Sequence, residues 1–485
     1  MEISSFRSFT FAILVAILVW SSAIHHTCNA SRTGRHWRKN RSTSSTSLSK
    51  KKSGNHHHGG GGGKSKSKST SHKAPPSASN PAPPEHDDNG GSPAAGNTYN
   101  VLNFGPKEME VVMIQRHLKV LGQLHQNIVF QIDGTIVAPS NFKSYGSGLF
   151  QWILFTKLVG LTIQGRGTID GSGSIWWKNT PLNDPLDDEL KLIFPINDTT
   201  PKIIHSSITD SLGGKMPSIK PTAVRFYGSI DVTVTGITIQ NSPQCHLKFD
   251  NCMGVSVYNF NVSSPANSPN TDGIHLQNSK DVLIHTTDLS CGDDCVSIQT
   301  GCSNVYIHNV NCGPGHGISI GSLGKDNTKA CVSNITVRDV MMHNTMNGVR
   351  IKTWQGGSGS VQGVMFSNIQ VSEVQLPIVI DQFYCDKSMC KNQSSAVALS
   401  GISYERIRGT YTVKPVHFAC SDSMPCTDVN LNGINLKPVQ ERYHMYDPFC
   451  WKTFGELLSP AVPPVGCLQI GKPSSSHVQA DHDTC

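Results

Sequence analysis

Acidic residues and a histidine recur at regular intervals in the second half of the chain. Asp272, Asp294 and His316 each stand just before a short run rich in β-branched residues, and Asp293 is next to Asp294. Crowded carboxyl groups take different pKa values, so one can hold a proton while another is ionised. A protonated carboxyl can donate to a leaving oxygen while an ionised one activates water. If the fold brings these residues together, they predict an acid/base site for glycoside hydrolysis.

Two cations follow further along the chain. Arg350 and Lys352 alternate with Val349 and Ile351, so in a strand both cations point to the face opposite the apolar pair. Arginine binds carboxylates bidentately, and lysine binds them as a point charge. The substrate is therefore expected to be acidic. A single Asp before a strand is usually a turn residue, and stacked acids could form a structural ladder, so the prediction depends on the whole set.

A repeat of short strands would bring these residues together. One type of run begins at Asp231, Gly254, Asp281, Asn304, Asn334, Gly363 and Gly401, and a second begins at Gly273, Cys295, Gly317, Gly348 and Pro377. Two strands in every 22–31 residues predict stacked coils, an all-β fold of the right-handed parallel β-helix type. Positions of equal phase then lie about 4.8 Å apart. A β-sandwich is the rival fold, but it requires hairpin turns in place of a coil period.

The chain divides into four segments. Residues 1–30 are predicted to be a signal peptide, because the apolar run Phe9–Trp20 is shorter than the roughly 20 residues of a membrane span. An uncleaved anchor is the alternative. Residues 31–96 are rich in Ser, Lys, His, Gly and Pro and are predicted to be a disordered basic linker, either a spacer or an adhesive for acidic polysaccharide. Residues 97–470 form the predicted β-helix domain, and residues 471–485 a flexible tail.

Composition supports a β-rich domain more than a helical bundle. Only 15% of the 485 residues are charged and 44 are glycine, which suits many turns. One segment, Lys107–Leu124, has apolar residues at roughly helical spacing and predicts a helix.

Cysteine usage predicts an oxidising compartment. The chain has 15 cysteines, and removal of Cys28 with the signal peptide leaves an even number. Close neighbours predict local disulfides, although sequence alone leaves the connectivity open: Cys245/Cys252, Cys385/Cys390, Cys420/Cys426 and Cys450/Cys467. The spacing does not favour a zinc site. Possible glycosylation sites are Asn197, Asn261, Asn334 and Asn392.

Four short blocks together resemble the plant polygalacturonases of glycoside hydrolase family 28. They are Asn270-Thr271-Asp272, Gly292-Asp293-Asp294, Gly315-His316-Gly317 and Arg350-Ile351-Lys352, in that order. The resemblance runs from about Asn127 to Leu468 and implies a pectin-lyase-like solenoid. It also implies an inverting hydrolase of α-1,4-linked polygalacturonate that uses no metal or other cofactor.

The resemblance implies a role for each matched residue. Asp293 would be the general acid, and Asp272 with Asp294 would activate water. His316 would support the protonation and orientation of the acid. The substrate-binding residues would be Asn270, Arg350, Lys352 and Tyr384. The expected partner is homogalacturonan, with no nucleic acid and no membrane association in the mature form. The protein is expected to be a secreted, extracellular cell-wall monomer.

Some alternatives remain open. The coil spacing alone would separate the carboxyl groups by about 5–5.5 Å, the distance usual for retaining enzymes, whereas the resemblance implies inversion. A pectate lyase is also built on a β-helix but would require calcium. A catalytically impaired wall-binding homologue, with the basic segment as its adhesive part, is the third possibility.

Overall fold

Parallel strands wind into successive coils in the computed structural model. The structure describes residues 98–100, 111–113, 118–121, 127–141, 145, 151–177, 220–386, 389–440 and 447–473. The predicted signal peptide, the predicted linker, Asn197 and most of the predicted tail lie outside these residues.

Two sheets contain the described strands. Sheet B has eleven: β3 (Leu118–Leu121), β6 (Gln151–Thr156), β9 (Thr222–Tyr227), β12 (Leu247–Asp250), β14 (Ile274–Gln277), β16 (Val296–Ile298), β18 (Ile318–Leu323), β20 (Asn347–Trp354), β22 (Leu376–Tyr384), β24 (Val416–Ala419) and β27 (Phe449–Trp451). These eleven strands stack in chain order, one per coil.

Sheet A holds seventeen strands, some of which turn a corner between two faces. They are β1 (Thr98–Asn100), β2 (Val111–Met113), β4 (Val129–Ile132), β5 (Thr135–Val137), β7 (Thr162–Gly165), β8 (Thr168–Asp170), β10 (Ile230–Thr235), β11 (Thr238–Gln240), β13 (Met253–Ser263), β15 (Lys280–Ser290), β17 (Cys302–Cys312), β19 (Lys329–His343), β21 (Ser358–Val374), β23 (Ala398–Tyr411), β25 (Cys426–Asn432), β26 (Asn435–Pro438) and β28 (Thr453–Leu457). The helical elements among the described residues are α1 (Ser174–Trp177) and a 3-10 turn (Lys325–Asn327). Neither is long and apolar enough to cross a membrane.

The strand register confirms the predicted parallel β-helix. The first type of run aligns coil by coil in sheet A, where Val232 pairs with Val255, Val255 with Val282, and Val282 with Val305. The second type aligns in sheet B. The described pairings between strands are parallel, which rules out the hairpins that a sandwich requires.

Left-handed backbone explains why the first type of run opens with Asp, Asn or Gly. The opening residues Asp231, Gly254, Asp281, Asn304, Asn334, Gly363 and Gly401 all have φ between 53° and 68°. These residue types tolerate that region best. Amide side chains also connect successive coils, since Asn304 Nδ2 donates to Asp281 Oδ1 at 2.8 Å and Asn334 Nδ2 donates to Asn304 Oδ1 at 2.8 Å.

The core is a column of apolar side chains inside the coils. Alternate residues of each strand point inward, so β15 shows a buried residue at nearly every second position. Aromatic rings also stack from coil to coil. Phe226 is fully buried between Phe155 and Phe249, with ring centroids 5.1 and 5.0 Å away. This stack lies beneath the N-terminal half of sheet B.

The helix predicted over Lys107–Leu124 is wrong where the structure describes it. Residues of this segment form β2 and β3, which pair with β5 and β6. Backbone hydrogen bonds to the neighbouring strands stabilise the extended conformation here. This tertiary pairing outweighs the helical preference that the spacing of apolar residues indicates.

Three predicted disulfides are confirmed and one is wrong. Cys385–Cys390, Cys420–Cys426 and Cys450–Cys467 form, whereas Cys245 and Cys252 are buried free thiols. The extended strand β12 lies between those two residues and rises about 3.3 Å per residue, which keeps their sulfur atoms apart. A bond that was not predicted joins Cys295 to Cys312 across the coil that carries Asp293 and Asp294.

We expect Phe226→Ala to lower the free energy of unfolding by about 3–5 kcal/mol, because it opens a cavity in a stack that cannot collapse. Urea unfolding followed by fluorescence measures this loss. Met341→Ala is the control, because Met341 is 56% exposed and should change the unfolding midpoint little. Equal losses in both variants would contradict a core built on the aromatic stack.

Candidate active site

The register of sheet B aligns the acidic residues along one face. Ile274 pairs with Val296, and Val296 pairs with Ile318. Asp272, Asp294 and His316 each precede these paired residues by two positions, so the three lie on consecutive coils. Asp272 and Asp294 line a cleft of about 340 Å³, together with Asp293 and Lys352.

Asp293 and His316 form one hydrogen-bonded ion pair. His316 Nδ1 lies 3.0 Å from Asp293 Oδ1, and Asn270 Nδ2 donates to Asp293 Oδ2 at 3.4 Å. Burial pushes the pKa of Asp293 up, but the charge and hydrogen bond of His316 outweigh burial and hold that pKa well below its usual value. The same contact raises the pKa of His316 against its own burial. The proton of this pair therefore resides on the imidazole in the free site.

Asp294 is a buried carboxylate between two cations. Arg350 Nη2 donates to its Oδ1 at 2.9 Å and Lys352 Nζ donates to its Oδ2 at 3.0 Å. Ser319 Oγ donates to Oδ1 at 2.7 Å and also accepts from Arg350 Nε at 3.1 Å. The three charged side chains are only 2–9% exposed. The guanidinium of Arg350 is thus used within the protein in this state, and its expected contact with a substrate stays a prediction.

Asp272 has an environment opposite to that of Asp293. Burial, followed by the charges of Asp293 and Asp294, raises the pKa of Asp272 well above its usual value. Its Oδ2 lies 2.8 Å from His275 Nδ1. Burial and then the nearby Lys248 lower the pKa of His275 to about 3, so this imidazole is neutral and orients the carboxyl through a hydrogen bond.

Tyr384 lies at the C-terminal side of the cluster. Its ring is 5.3 Å from Lys352 Nζ and meets the ring of Trp354 edge-to-face at 5.5 Å. Burial raises the pKa of the Tyr384 hydroxyl, which therefore stays a neutral hydrogen-bonding group. The structure thus brings the eight residues singled out in the sequence into one cluster beside sheet B, with Asn270 exposed at its rim.

Two groups of side chains have the donor types of a metal site. The ligand atoms of Cys245, Asp272 and His275 lie within 4.8 Å of one another, as do those of Asp293, Asp294 and His316. In the second group, Asp294 is already neutralised by its two cationic partners. A resident cation would have to displace them.

Sequence reasoning missed two residues that position the carboxylates. His275 contacts Asp272, and Ser319 contacts Asp294. Both belong to the strand column that continues into Arg350. The signal that could have found them is this column, since every polar side chain on the same face of consecutive coils is within reach of the cleft.

A larger, more open depression of about 540 Å³ lies on sheet A. Its lining includes Asp281 and Asn304, which already hydrogen-bond to each other in the turn ladder described above. It lacks the cation-flanked carboxylates of sheet B, so the candidate active site is the smaller cleft.

Comparisons with known proteins show the family of the chain. The model of glycosyl hydrolases family 28 matches residues 206–445. A protein of Arabidopsis thaliana named as a probable polygalacturonase is 37% identical over 352 residues, covering 72% of this chain and 73% of that protein. A polygalacturonase of Cryptomeria japonica is 39% identical over 318 residues, covering 65% of this chain. The chain spans only 57% of the length of the Cryptomeria protein.

A solved structure supports the fold. The polygalacturonase from Erwinia carotovora superposes with a TM-score of 0.56 at 24% identity, over 75% of this chain and 87% of that one. The protein is therefore a parallel β-helix with a cluster of carboxyl groups in its candidate active site. The chain belongs to glycosyl hydrolases family 28.

We expect Asp294→Asn to destabilise the protein by about 3–5 kcal/mol, because it leaves two buried cations without their shared anion. Urea unfolding of the purified variant measures this. The control is Glu405→Gln, which removes one partner of the exposed pair Glu405–Arg406 and should change stability far less. A stable Asp294→Asn protein would show that the cations find another anion or water.

Proposed function

We propose that the protein is a secreted polygalacturonase that hydrolyses α-1,4-galacturonosyl linkages of homogalacturonan in the cell wall. One observation carries the proposal: one cleft holds two carboxyl groups with opposite pKa shifts, Asp272 and Asp293, next to a cationic wall. The polygalacturonase names of the relatives from Cryptomeria and Arabidopsis support the choice of substrate.

The acid is the pair formed by Asp293 and His316. A lone carboxyl with a low pKa is a poor proton donor near neutral pH, but His316 holds the missing proton 3.0 Å away. When a sugar covers the cleft and excludes water, the ion pair loses solvation, and transfer of the proton to Asp293 neutralises both partners. Asp293 then donates this proton to the leaving glycosidic oxygen.

The base is the pair formed by Asp272 and Asp294. A carboxylate with a raised pKa is a stronger base than an ordinary one once it is ionised. Asp272, held by neutral His275, removes the proton of the attacking water, and Asp294 fixes the opposite side of that water. Attack by water, with no covalent sugar intermediate, inverts the anomeric centre.

Lys352 supplies the positive charge at the cleft surface. It lines the cleft, whereas Arg350 lies beneath it and neutralises Asp294. A galacturonate carboxylate approaching Lys352 and Tyr384 would share the two cations with Asp294.

Secretion, glycosylation and a monomeric state are part of the proposal. Disulfides such as Cys295–Cys312 support an oxidising compartment. Asn261, Asn334 and Asn392 are exposed, as glycan acceptors must be.

We expect Asp293→Asn to lower kcat on polygalacturonate by about 10²–10⁴-fold, because it removes the proton donor. Binding to polygalacturonate should persist. Reducing-end release from a defined galacturonate oligomer measures turnover, and Asp231→Asn, a turn acid on sheet A, is the matched control. Undiminished turnover in Asp293→Asn would refute the acid assignment.

The products of the unmodified protein test the reaction class. Hydrolysis gives saturated ends, and turnover should survive removal of calcium by a chelator. Ultraviolet-absorbing unsaturated ends that depend on calcium would identify a lyase. Binding without any new reducing ends would identify a wall-binding homologue.

We expect His316→Gln to move the alkaline limb of the kcat/KM profile to lower pH. In the unmodified protein, His316 holds the catalytic proton until the pH rises past the raised pKa of this imidazole. In the variant only a carboxyl group can hold that proton, and it loses the proton at a lower pH. His285→Gln on sheet A should leave the profile unchanged. An unshifted alkaline limb in His316→Gln would show that the imidazole does not store the proton.

A further inference from the structure

One more cation lies on the face of sheet B that carries the carboxylates. Lys248 in β12 pairs in register with His275 in β14, and His275 pairs with Ser297 in β16. The same column continues through Ser319 to Arg350. Lys248 therefore points to the same side as the cleft residues, and it lines the cleft together with Asp272 and Asp293.

Lys248 differs from the other cations of this face because no carboxylate neutralises it among the described residues. Arg350 and Lys352 are both bound to Asp294. Arg225, one coil before Lys248, is bound to Asp250. Within the described part of the chain, Lys248 has neither an ion pair within 4.0 Å nor a side-chain hydrogen bond. Its ammonium is available to a ligand.

The cations are placed symmetrically about the proposed acid. Asp293 lies on the coil of β16, Lys248 two coils toward the N-terminus, and Arg350 with Lys352 two coils toward the C-terminus. Two coils correspond to about 10 Å at the usual strand spacing, so each cation lies about that far along the column from the coil of Asp293. A linear polymer that places its scissile bond at Asp293 and follows the column therefore passes a cation on each side.

We infer that Lys248 forms a carboxylate-binding subsite for an unesterified uronate unit on the side of the scissile bond opposite Lys352. This inference rests on the proposed function. It specifies that the N-terminal half of the cleft recognises the free carboxylate of a substrate unit. A free ammonium gains a charge-assisted hydrogen bond from a carboxylate and gains no such bond from a methyl ester. The subsite would thus discriminate between free and methyl-esterified units.

The experiment compares Lys248→Met with the unmodified protein on de-esterified polygalacturonate and on highly methyl-esterified pectin. Methionine keeps the length and apolar stem of lysine but removes the charge. We expect KM on polygalacturonate to rise about 10-fold, the loss of one charge-assisted bond. The change in kcat should be much smaller, because Lys248 does not touch the reacting bond and because burial, the larger cause, still keeps His275 neutral. KM on esterified pectin should change little.

Two further variants sharpen the test. Lys248→Arg keeps the charge and should restore most of the KM. Lys280→Met changes an exposed lysine on sheet A and should leave both substrates unaffected. An unchanged KM in Lys248→Met, or an equal rise on both substrates, would overturn the inference. If the unmodified protein itself releases no reducing ends, the proposed function fails instead, and direct titration with a galacturonate oligomer then decides whether Lys248 binds it.

Discussion

The parallel register of sheet B is the constraint on which the rest of the structure depends. Ile274, Val296 and Ile318 pair in sequence, so residues 22 positions apart become neighbours at the strand spacing of about 4.8 Å. The buried apolar side of each strand locks this register, because a slip of one residue would turn the polar face inward. The solenoid itself positions the carboxyl groups.

Charge compensation is the second requirement of this arrangement. Three carboxyl groups on neighbouring coils, one buried and two half-buried, would repel one another, and each is stabilised in a different way. Asp294 is bound by two cations, Asp293 is paired with His316, and Asp272 has a raised pKa beside a neutral imidazole. Chemically identical groups thus acquire the different proton affinities that acid and base catalysis need, because their partners differ.

Much of this could be predicted from the sequence, and the limits have physical causes. The coil period and the column of acids can be predicted because they follow from the spacing of short strands along the sequence. The partners of Asp294 could not be predicted in this way, because Arg350 and Lys352 lie two coils away and reach it only through their long side chains. Lys248 was missed because its run Leu247–Asp250 lacks the β-branched signature of the later strands. The helix predicted over Lys107–Leu124 failed because ladder pairing outweighed local spacing.

The proposal that an acid-rich cleft binds an acidic polymer requires an electrostatic explanation. The carboxylates themselves do not attract a polyanion, but the cations that neutralise them also provide positive potential at the surface. Lys352 lines the cleft on one side of Asp293, and Lys248 lines it on the other. The permanent charge of Lys352 is partly used by Asp294, while that of Lys248 is free among the described residues. In the proposed reaction, the approach of the polymer is therefore favoured at the flanks, and the proton transfers take place between them, where the negative groups are concentrated.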